Sequence, residues 1–473
     1  MKLISMILIL CLLTAACSAL PAYPINISST NPRILVDQNS KPSMMVGDSP
    51  WSLIANLAYS NQVFYIQDRA AHGFNTLLIS VLDYPYVGGR RGGRLLDGTP
   101  PFTKRIWGVY YDLTAPNTNY FAELDRAIRT CATNGIIALL DPIETGQWLT
   151  TMWANGSKAC NNYGKFLGSR YAGFKNVMWF NGNDFQGWQT ASIDDEVMAV
   201  AVGIKTQATN QLQTIELNYY VSSSYDDKYW VPICGLNQVY TYYPVYAEEF
   251  HAYRQSAANP MFLGEAYYEL EAGDAGRGEN GTPGVLRRQE YPTALSGAAG
   301  QLYGNDYIWQ FKSGWQTNLD TIGVTQLEYL ENLFLPKEWC NLMPDTNHLV
   351  FTKGYGTYES NSGTIGGDTY LSAAYTRDGA LAIAYAPTVR TITVNMTKFT
   401  NSVEAWWFDP GNGIYSTVPG SPFSKAGTNA FTPAKTNSVG DTDWVLLLEA
   451  QPPVRRAENQ FVQIAGTNAE NSK

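Results

Sequence analysis

From about residue 44 to residue 311, short apolar runs alternate with longer stretches in which apolar residues recur at three- and four-residue spacing. Runs of the first kind read as buried strands and those of the second as amphipathic helices. The pattern predicts strands at 44–47, 76–82, 136–140, 177–180, 214–217, 238–241, 261–263 and 307–310. Helical patterns fill the intervals at 61–72, 119–134, 164–174, 193–209, 245–258 and 283–299. Eight such units predict an α/β fold of the (β/α)8 TIM-barrel type, whose chemistry sits at the carboxyl ends of the strands. A doubly wound sheet would be expected to carry a Gly-rich phosphate turn, which the sequence lacks.

Past about residue 340 the texture changes to short β-rich runs at 370–375, 380–385, 391–395, 403–408 and 444–449, separated by turn residues. These predict a small antiparallel β-sandwich. At the other end, Met1-Lys2, an apolar run from Leu3 to Leu13 and small residues up to Ala19 follow the order of a secretory signal. That run is too short to span a bilayer well, and no later segment reads as transmembrane. The expected division is therefore a signal peptide at 1–19, a barrel at 20–338, a sandwich at 339–451 and a flexible tail at 452–473. A secreted, extracellular protein follows. Thr14-Ala15-Ala16-Cys17 is an imperfect lipoprotein-type site, so a lipid anchor at Cys17, in the periplasm or at the cell surface, is the alternative. Loss of Cys11 and Cys17 with the leader leaves Cys131, Cys160, Cys234 and Cys340, an even set consistent with one or two disulfides in an oxidising compartment.

Composition narrows the chemistry. With 41 acidic and 32 basic residues the net charge is −9, which provides no electrostatic drive toward nucleic acid. Aromatic residues make up 13% of the chain, with 31 Tyr and 13 Trp, against 15% charged, so the bulk of the chain is globular. The 3 His have no metal-ligand spacing, and the chain has no C-x-x-C pair, Walker A loop, G-x-S-x-G elbow or G-x-G-x-x-G turn directly after a predicted strand. Zinc sites, nucleotide hydrolysis, Ser-His hydrolases and dinucleotide chemistry lose ground, and neither metal nor cofactor is expected. Carboxylates remain as the reagents.

At the strand ends stand Asp48, Asp83, Asp141, Asn183-Asp184, Tyr242, Glu265 and Glu269, with Trp309 in the eighth predicted strand. Trp51, Tyr84, Trp148, Trp188, Tyr267 and Tyr268 stand beside the carboxylates. Carboxylates converging in an aromatic cleft suit glycoside hydrolysis, where one carboxyl protonates the leaving oxygen and a second attacks the anomeric carbon or activates water. Asp184 on strand four and Glu265 on strand seven are similar in placement to the pair of the retaining barrel glycosidases, as is Asn183 just before the acid/base. Those enzymes usually have Glu where Asp184 stands.

A closer resemblance follows from Gly47-Asp48-Ser49-Pro50-Trp51, the stretch Asp68 to Asn75, Asn176 to Asp184, Pro260 to Glu265 with Tyr268-Glu269, and Tyr303-Gly304 with Ile308-Trp309. These resemble the apiosidase-like glycoside hydrolases. Tyr385-Ala386-Pro387 and Ala405 to Pro410 with Gly413 resemble a β-domain named for a collagen-binding domain of a collagenase. The resemblance implies a barrel glycosidase with Asp184 as acid/base and Glu265 as nucleophile, and it accounts for Asp at 184. Glu269 is the alternative nucleophile. Asp48, Trp51, Asp83, Asn183, Tyr242, Tyr268, Glu269 and Trp309 are expected to contact substrate. Each also has a mundane reading, such as a helix cap for Asp48, a turn for Asp83 and a pocket floor for Trp51 and Trp309. The expected function is a glycosidase, monomeric and with carbohydrate as its partner, acting on plant or microbial polysaccharide by a two-carboxylate, retaining route. Apiose-containing pectic side chains are the first candidate. A non-catalytic carbohydrate-binding or adhesion protein on the same fold is the alternative.

Overall fold

The computed structural model describes residues 23–452 apart from 86–87, 256–257 and 274–277. The leader with Cys17, and the tail beyond residue 452, lie outside the described residues. Eight strands form one curled sheet: β1 (Met45–Asp48), β2 (Thr76–Ser80), β3 (Ile137–Asp141), β4 (Val177–Asn181), β5 (Gln213–Ile215), β6 (Asn237–Thr241), β7 (Met261–Glu265) and β8 (Gly300–Tyr303). They run parallel in the order β6-β7-β8-β1-β2-β3-β4-β5, and a short antiparallel strand, Val221–Ser223, lies on the outer side of β6. The flanking helices are α1 (Tyr59–Ala71), α2 (Thr118–Thr133), α3 (Thr145–Tyr171), α4 (Ala191–Gln207), α5 (Tyr246–Arg254), α6 (Pro283–Leu295) and α7 (Ile322–Phe334).

β1 to β4 and β7 are mostly apolar because both faces are buried, while β5, β6 and β8 also bury Gln213, Thr214, Asn237, Gln238, Thr241 and Gln301. Leu78, Ile137, Leu139, Met178, Phe180 and Phe262 fill the inner face of the curl, while their neighbours Leu77, Ile79, Ala138, Leu140 and Trp179 pack outward under the helices. No ladder runs from β5 to β6. Across that seam the Ser224 hydroxyl donates to the Ile215 carbonyl at 2.6 Å and accepts the Gln238 N–H at 2.9 Å, while the Leu236 N–H reaches the Gln213 carbonyl at 3.2 Å.

Two expectations need correction. The eighth strand is Gly300–Tyr303, not 307–310. In the latter segment Ile308 and Trp309 both donate backbone N–H groups to the Asn305 carbonyl, and the Lys312 N–H goes to the Tyr307 carbonyl, so this local coil uses the groups a ladder would need. The cysteines are not cross-linked: Cys131, Cys160, Cys234 and Cys340 are free thiols, and the first three are buried as small apolar side chains.

The C-terminal region forms a six-stranded antiparallel sheet from β9 (Leu342–Pro344), β10 (Ser372–Thr376), β11 (Leu381–Ala386), β12 (Val403–Asp409), β13 (Ile414–Thr417) and β14 (Trp444–Ala450), in the order β9-β10-β11-β14-β12-β13. A three-stranded sheet of Phe351–Lys353, Ile392–Asn395 and Thr428–Phe431 accompanies it. Side chains along a strand alternate between faces, and both faces of β11 and β14 are used. Ile383, Tyr385, Val445 and Leu447 pack on Leu286, Tyr291, Leu327 and Leu330 of α6 and α7. Ala382, Ala384, Leu446 and Leu448 pack on Phe351, Ile392, Val394 and Phe431 of the smaller sheet.

A buried ion pair crosses the first of these interfaces. Arg287 of α6 donates from Nε to Asp443 Oδ2 at 2.8 Å and from Nη2 to Asp443 Oδ1 at 3.0 Å, and the Tyr385 hydroxyl adds a bond at 2.9 Å. Removing one partner strands the other charge in a dry interface. Arg287→Ala is expected to cost about 3 kcal/mol or more in urea denaturation. Arg287→Lys should recover only part of this, because an ammonium cannot make the planar two-point contact.

Candidate active site

At the end of β4 the chain turns sharply. Gly182 has φ 77° and Asp184 φ 47°, and a Cβ on Gly182 would lie 2.5 Å from the Glu216 carbonyl, so only glycine fits there. Thr145, the first residue of α3, clamps the turn: its hydroxyl accepts the Asn183 N–H at 3.0 Å and donates to the Asn183 carbonyl at 2.5 Å. The Asp184 N–H donates to Glu216 Oε1 at 3.0 Å. The turn delivers the partly exposed Asp184 side chain at the carboxyl end of β4 and leaves Asn183 Oδ1 buried without a protein partner.

Glu265 ends β7. Tyr240 donates to its Oε1 at 2.9 Å, Tyr242 to the same oxygen at 3.4 Å, and Tyr268 to Oε2 at 3.1 Å. The Trp51 indole N–H in turn donates to the Tyr268 oxygen at 2.9 Å, which fixes the phenol's orientation. Burial, and then the charge of Asp184, push the Glu265 carboxyl up to about 8, against the lowering effect of the Tyr240 and Tyr268 hydroxyls. Asp184 and Glu265 are thus close enough to oppose each other's ionisation.

Glu216 is the third member. It directly follows β5, is fully buried, and accepts from Gln238 Nε2 through Oε2 at 3.2 Å in addition to the Asp184 N–H. Burial first, then the charges of Glu265 and Asp184, raise its carboxyl well above the usual range. Three carboxyls in one dry cluster cannot all ionise. Glu265, with three hydroxyl donors and an opening to solvent, carries negative charge more readily than Glu216.

The structure brings Asp184, Glu265, Tyr242, Tyr268, Trp51 and Asn183 together. Other expected contacts have bonding or packing partners in the framework. Glu269 accepts from the Tyr303 and Thr321 hydroxyls and from the Gly323 N–H at 2.9 Å, which places its carboxylate on the amino end of α7. Asp48 accepts the Tyr65 hydroxyl at 2.6 Å and lies 3.6 Å from Arg69 Nη1, all three fully buried. Asp83 accepts the Tyr84 N–H at 2.7 Å, and burial pushes it up to about 7. Trp309 packs in the inner layer with Trp51, and its carbonyl accepts the Ser52 N–H.

Sequence reading missed Glu216, Tyr240 and Thr145. Glu216 and Tyr240 fell inside predicted strands, and α3 was expected only from residue 164. A usable signal was present for Tyr240, since it and Tyr242 are two apart and share a face. Among the described residues, two side-chain sets are spaced to hold a metal ion: Asp68, His72 and Asp320, and Asp226, Glu248 and His251. In both the members already bond one another, as in the 2.8 Å His72–Asp320 and 3.0 Å His251–Asp226 pairs.

Comparison with known proteins agrees with this fold. Residues 29–341 match the family model "Apiosidase-like, catalytic domain", and residues 363–449 match the model named for a collagen-binding domain of a collagenase. No curated protein matches the sequence. A solved structure described as a glycoside hydrolase superposes with TM-score 0.74 at 22% identity, over 91% of this chain and 98% of its own. A glycoside hydrolase family 5 structure from Bacteroides vulgatus gives TM-score 0.73 at 19% identity, over 90% of this chain and 93% of that one. The fold is that of a glycoside hydrolase.

Two outcomes follow. Glu216→Gln, an isosteric replacement that keeps an acceptor for the Asp184 N–H, should keep kcat within about threefold and leave the pH profile in place, whereas Glu216→Ala should lower kcat about 10- to 100-fold; steady-state kinetics across pH checks both. Burial also raises Glu144, Glu249, Glu290 and Glu331 to about 8, as it does Glu265. These groups bind protons in the folded state that the unfolded chain releases from about pH 4.5 upward, so their contribution is full below that pH and is lost as pH rises toward 8. Thermal unfolding at pH 5 should therefore occur at a higher temperature than at pH 8.5.

Proposed function

The chain belongs to the apiosidase-like family, and on that premise we propose that it is a secreted, retaining glycosidase in which Asp184 is the acid/base and Glu265 the nucleophile. The observation that carries the reading is the pairing itself. One partly exposed carboxyl at the end of β4 faces a second at the end of β7 that is supported by three phenol hydroxyls.

In the first step Asp184 gives its proton to the glycosidic oxygen as the bond to the anomeric carbon breaks, and Glu265 forms a covalent glycosyl ester through an oxocarbenium-like transition state. In the second step Asp184 takes a proton from water, the water oxygen attacks the anomeric carbon, and Glu265 leaves as a carboxylate. The proton arrangement suits this cycle. A charge on Glu265 raises the affinity of Asp184 for its proton, and once Glu265 is esterified that charge is gone and Asp184 releases the proton more easily. Tyr240 and Tyr268 stabilise Glu265 in the ionised form in which it starts and ends. Tyr242 and its neighbours Tyr219 and Tyr220 offer ring faces to the apolar face of a sugar.

The family name makes an apiose-containing pectic side chain the first substrate to test. A panel of 4-methylumbelliferyl glycosides and pectic and hemicellulosic polymers, with product stereochemistry followed by NMR, should show hydrolysis with net retention. Asp184→Asn and Glu265→Gln should each lower kcat/KM by about 10²-fold or more with folding unchanged. Parental rates in both variants would remove the pair from the mechanism, and an inverted product would remove the covalent intermediate.

A further inference from the structure

Two of the phenols that hold Glu265, Tyr240 and Tyr242, lie in a buried cluster to which the β-domain contributes one residue. Ile365 is fully buried in a single cluster with Tyr240, Tyr242, Tyr267 and Val285. It lies in residues 354–371, the connection from Phe351–Lys353 to β10, which contains no helix or strand. A connection of that length without regular structure is uncommon in a compact domain and usually does more than join strands.

The connection is fastened to the catalytic domain at several points. The Glu279 carboxylate accepts the N–H groups of Ile365 at 2.6 Å and Gly366 at 2.7 Å. A Cβ on Gly366 would lie 2.7 Å from Glu279 Oε1, so that capture needs a residue without one. The Tyr246 hydroxyl of α5 donates to Asp368 Oδ1 at 3.1 Å and accepts the Glu359 N–H at 3.0 Å. Arg288 of α6 donates to the Asp368 carbonyl at 2.9 Å, and Asn361 Nδ2 donates to Glu248 Oε2 at 3.2 Å. Domain docking alone does not call for this reach, since the six-stranded sheet already packs broadly on α6 and α7.

We propose that residues 359–368 of the β-domain form a positioning element of the active site, in which Ile365 backs the rings of Tyr240 and Tyr242 and keeps their hydroxyls on Glu265. The proposal rests on Glu265 being the nucleophile. On this view the β-domain is a working part of the cleft and not a tethered binding module. A side chain that supports the rings acts on Glu265 only through the two phenols. Its loss lets the donors drift from the carboxylate, the charged form of Glu265 loses support, and its ionisation moves to higher pH.

The test uses the full chain and the methylumbelliferyl glycoside that it cleaves. Ile365→Ala should lower kcat about three- to tenfold with KM within about twofold, and should move the acid limb of kcat/KM up by about half a pH unit. Ile365→Val, which keeps a branched side chain against the rings, should restore most of the rate and the limb. Glu279→Gln should shift both in the same direction by less, and it decides the matter if Ile365→Ala does not fold. A folded Ile365→Ala with parental kcat and acid limb would overturn the proposal, as would a lower rate with no shift of the limb and no recovery in Ile365→Val. Glu265→Gln, assayed in parallel, separates the two ideas. An inactive Glu265→Gln beside an unaffected Ile365→Ala refutes only the positioning element, while an active Glu265→Gln refutes the nucleophile itself.

Discussion

A carboxylate with little access to water needs donors aimed at it, and at Glu265 these are the hydroxyls of Tyr240, Tyr242 and Tyr268. Much of the architecture serves that requirement. Tyr240 and Tyr242 lie two residues apart and present their hydroxyls to the same oxygen. Tyr268 is held by the Trp51 indole, and Trp51 stands edge-on to Phe180 in the inner layer of the curled sheet. The packing of the sheet interior is thereby coupled to the orientation of one hydroxyl at its mouth.

The same constraint explains why the neighbouring carboxyls differ in fate. Glu216 has one main-chain N–H and one amide for partners, lies deeper, and has its carboxyl raised well above the usual range by burial. Glu269 and Asp48 resolve theirs with a helix amino terminus and an arginine, and so become parts of the frame. Acidic residues that look alike in the sequence thus divide into reagent, support and scaffold according to which donors the fold supplies.

The β-domain extends the dependence further. Its central strands β11 and β14 are buried on both faces, one against α6 and α7 and the other against the smaller sheet, so the two halves of the chain share a continuous interior. Arg287 and Asp443 are both within that interface, and Ile365 joins the buried cluster of Tyr240 and Tyr242. Domain boundaries drawn from sequence texture do not coincide with independent mechanical parts.

The apolar runs by themselves determined seven of the eight strands and all of the central β-domain strands, because a strand buried on both faces is largely apolar. They also determined that Asp184 and Glu265 stand at strand ends. The segment 307–310 is as apolar as a strand, yet local backbone bonds to Asn305 and Tyr307 hold it as a coil while Gly300–Tyr303 pairs with β1. Only the tertiary structure could decide this, since ladder partners are long-range. It alone also decided that Glu269 caps α7, that Glu216 holds the Asp184 turn, and that Ile365 shares a buried cluster with Tyr240 and Tyr242. Each of these depends on a contact between residues far apart in the chain, and sequence periodicity carries no information about such contacts.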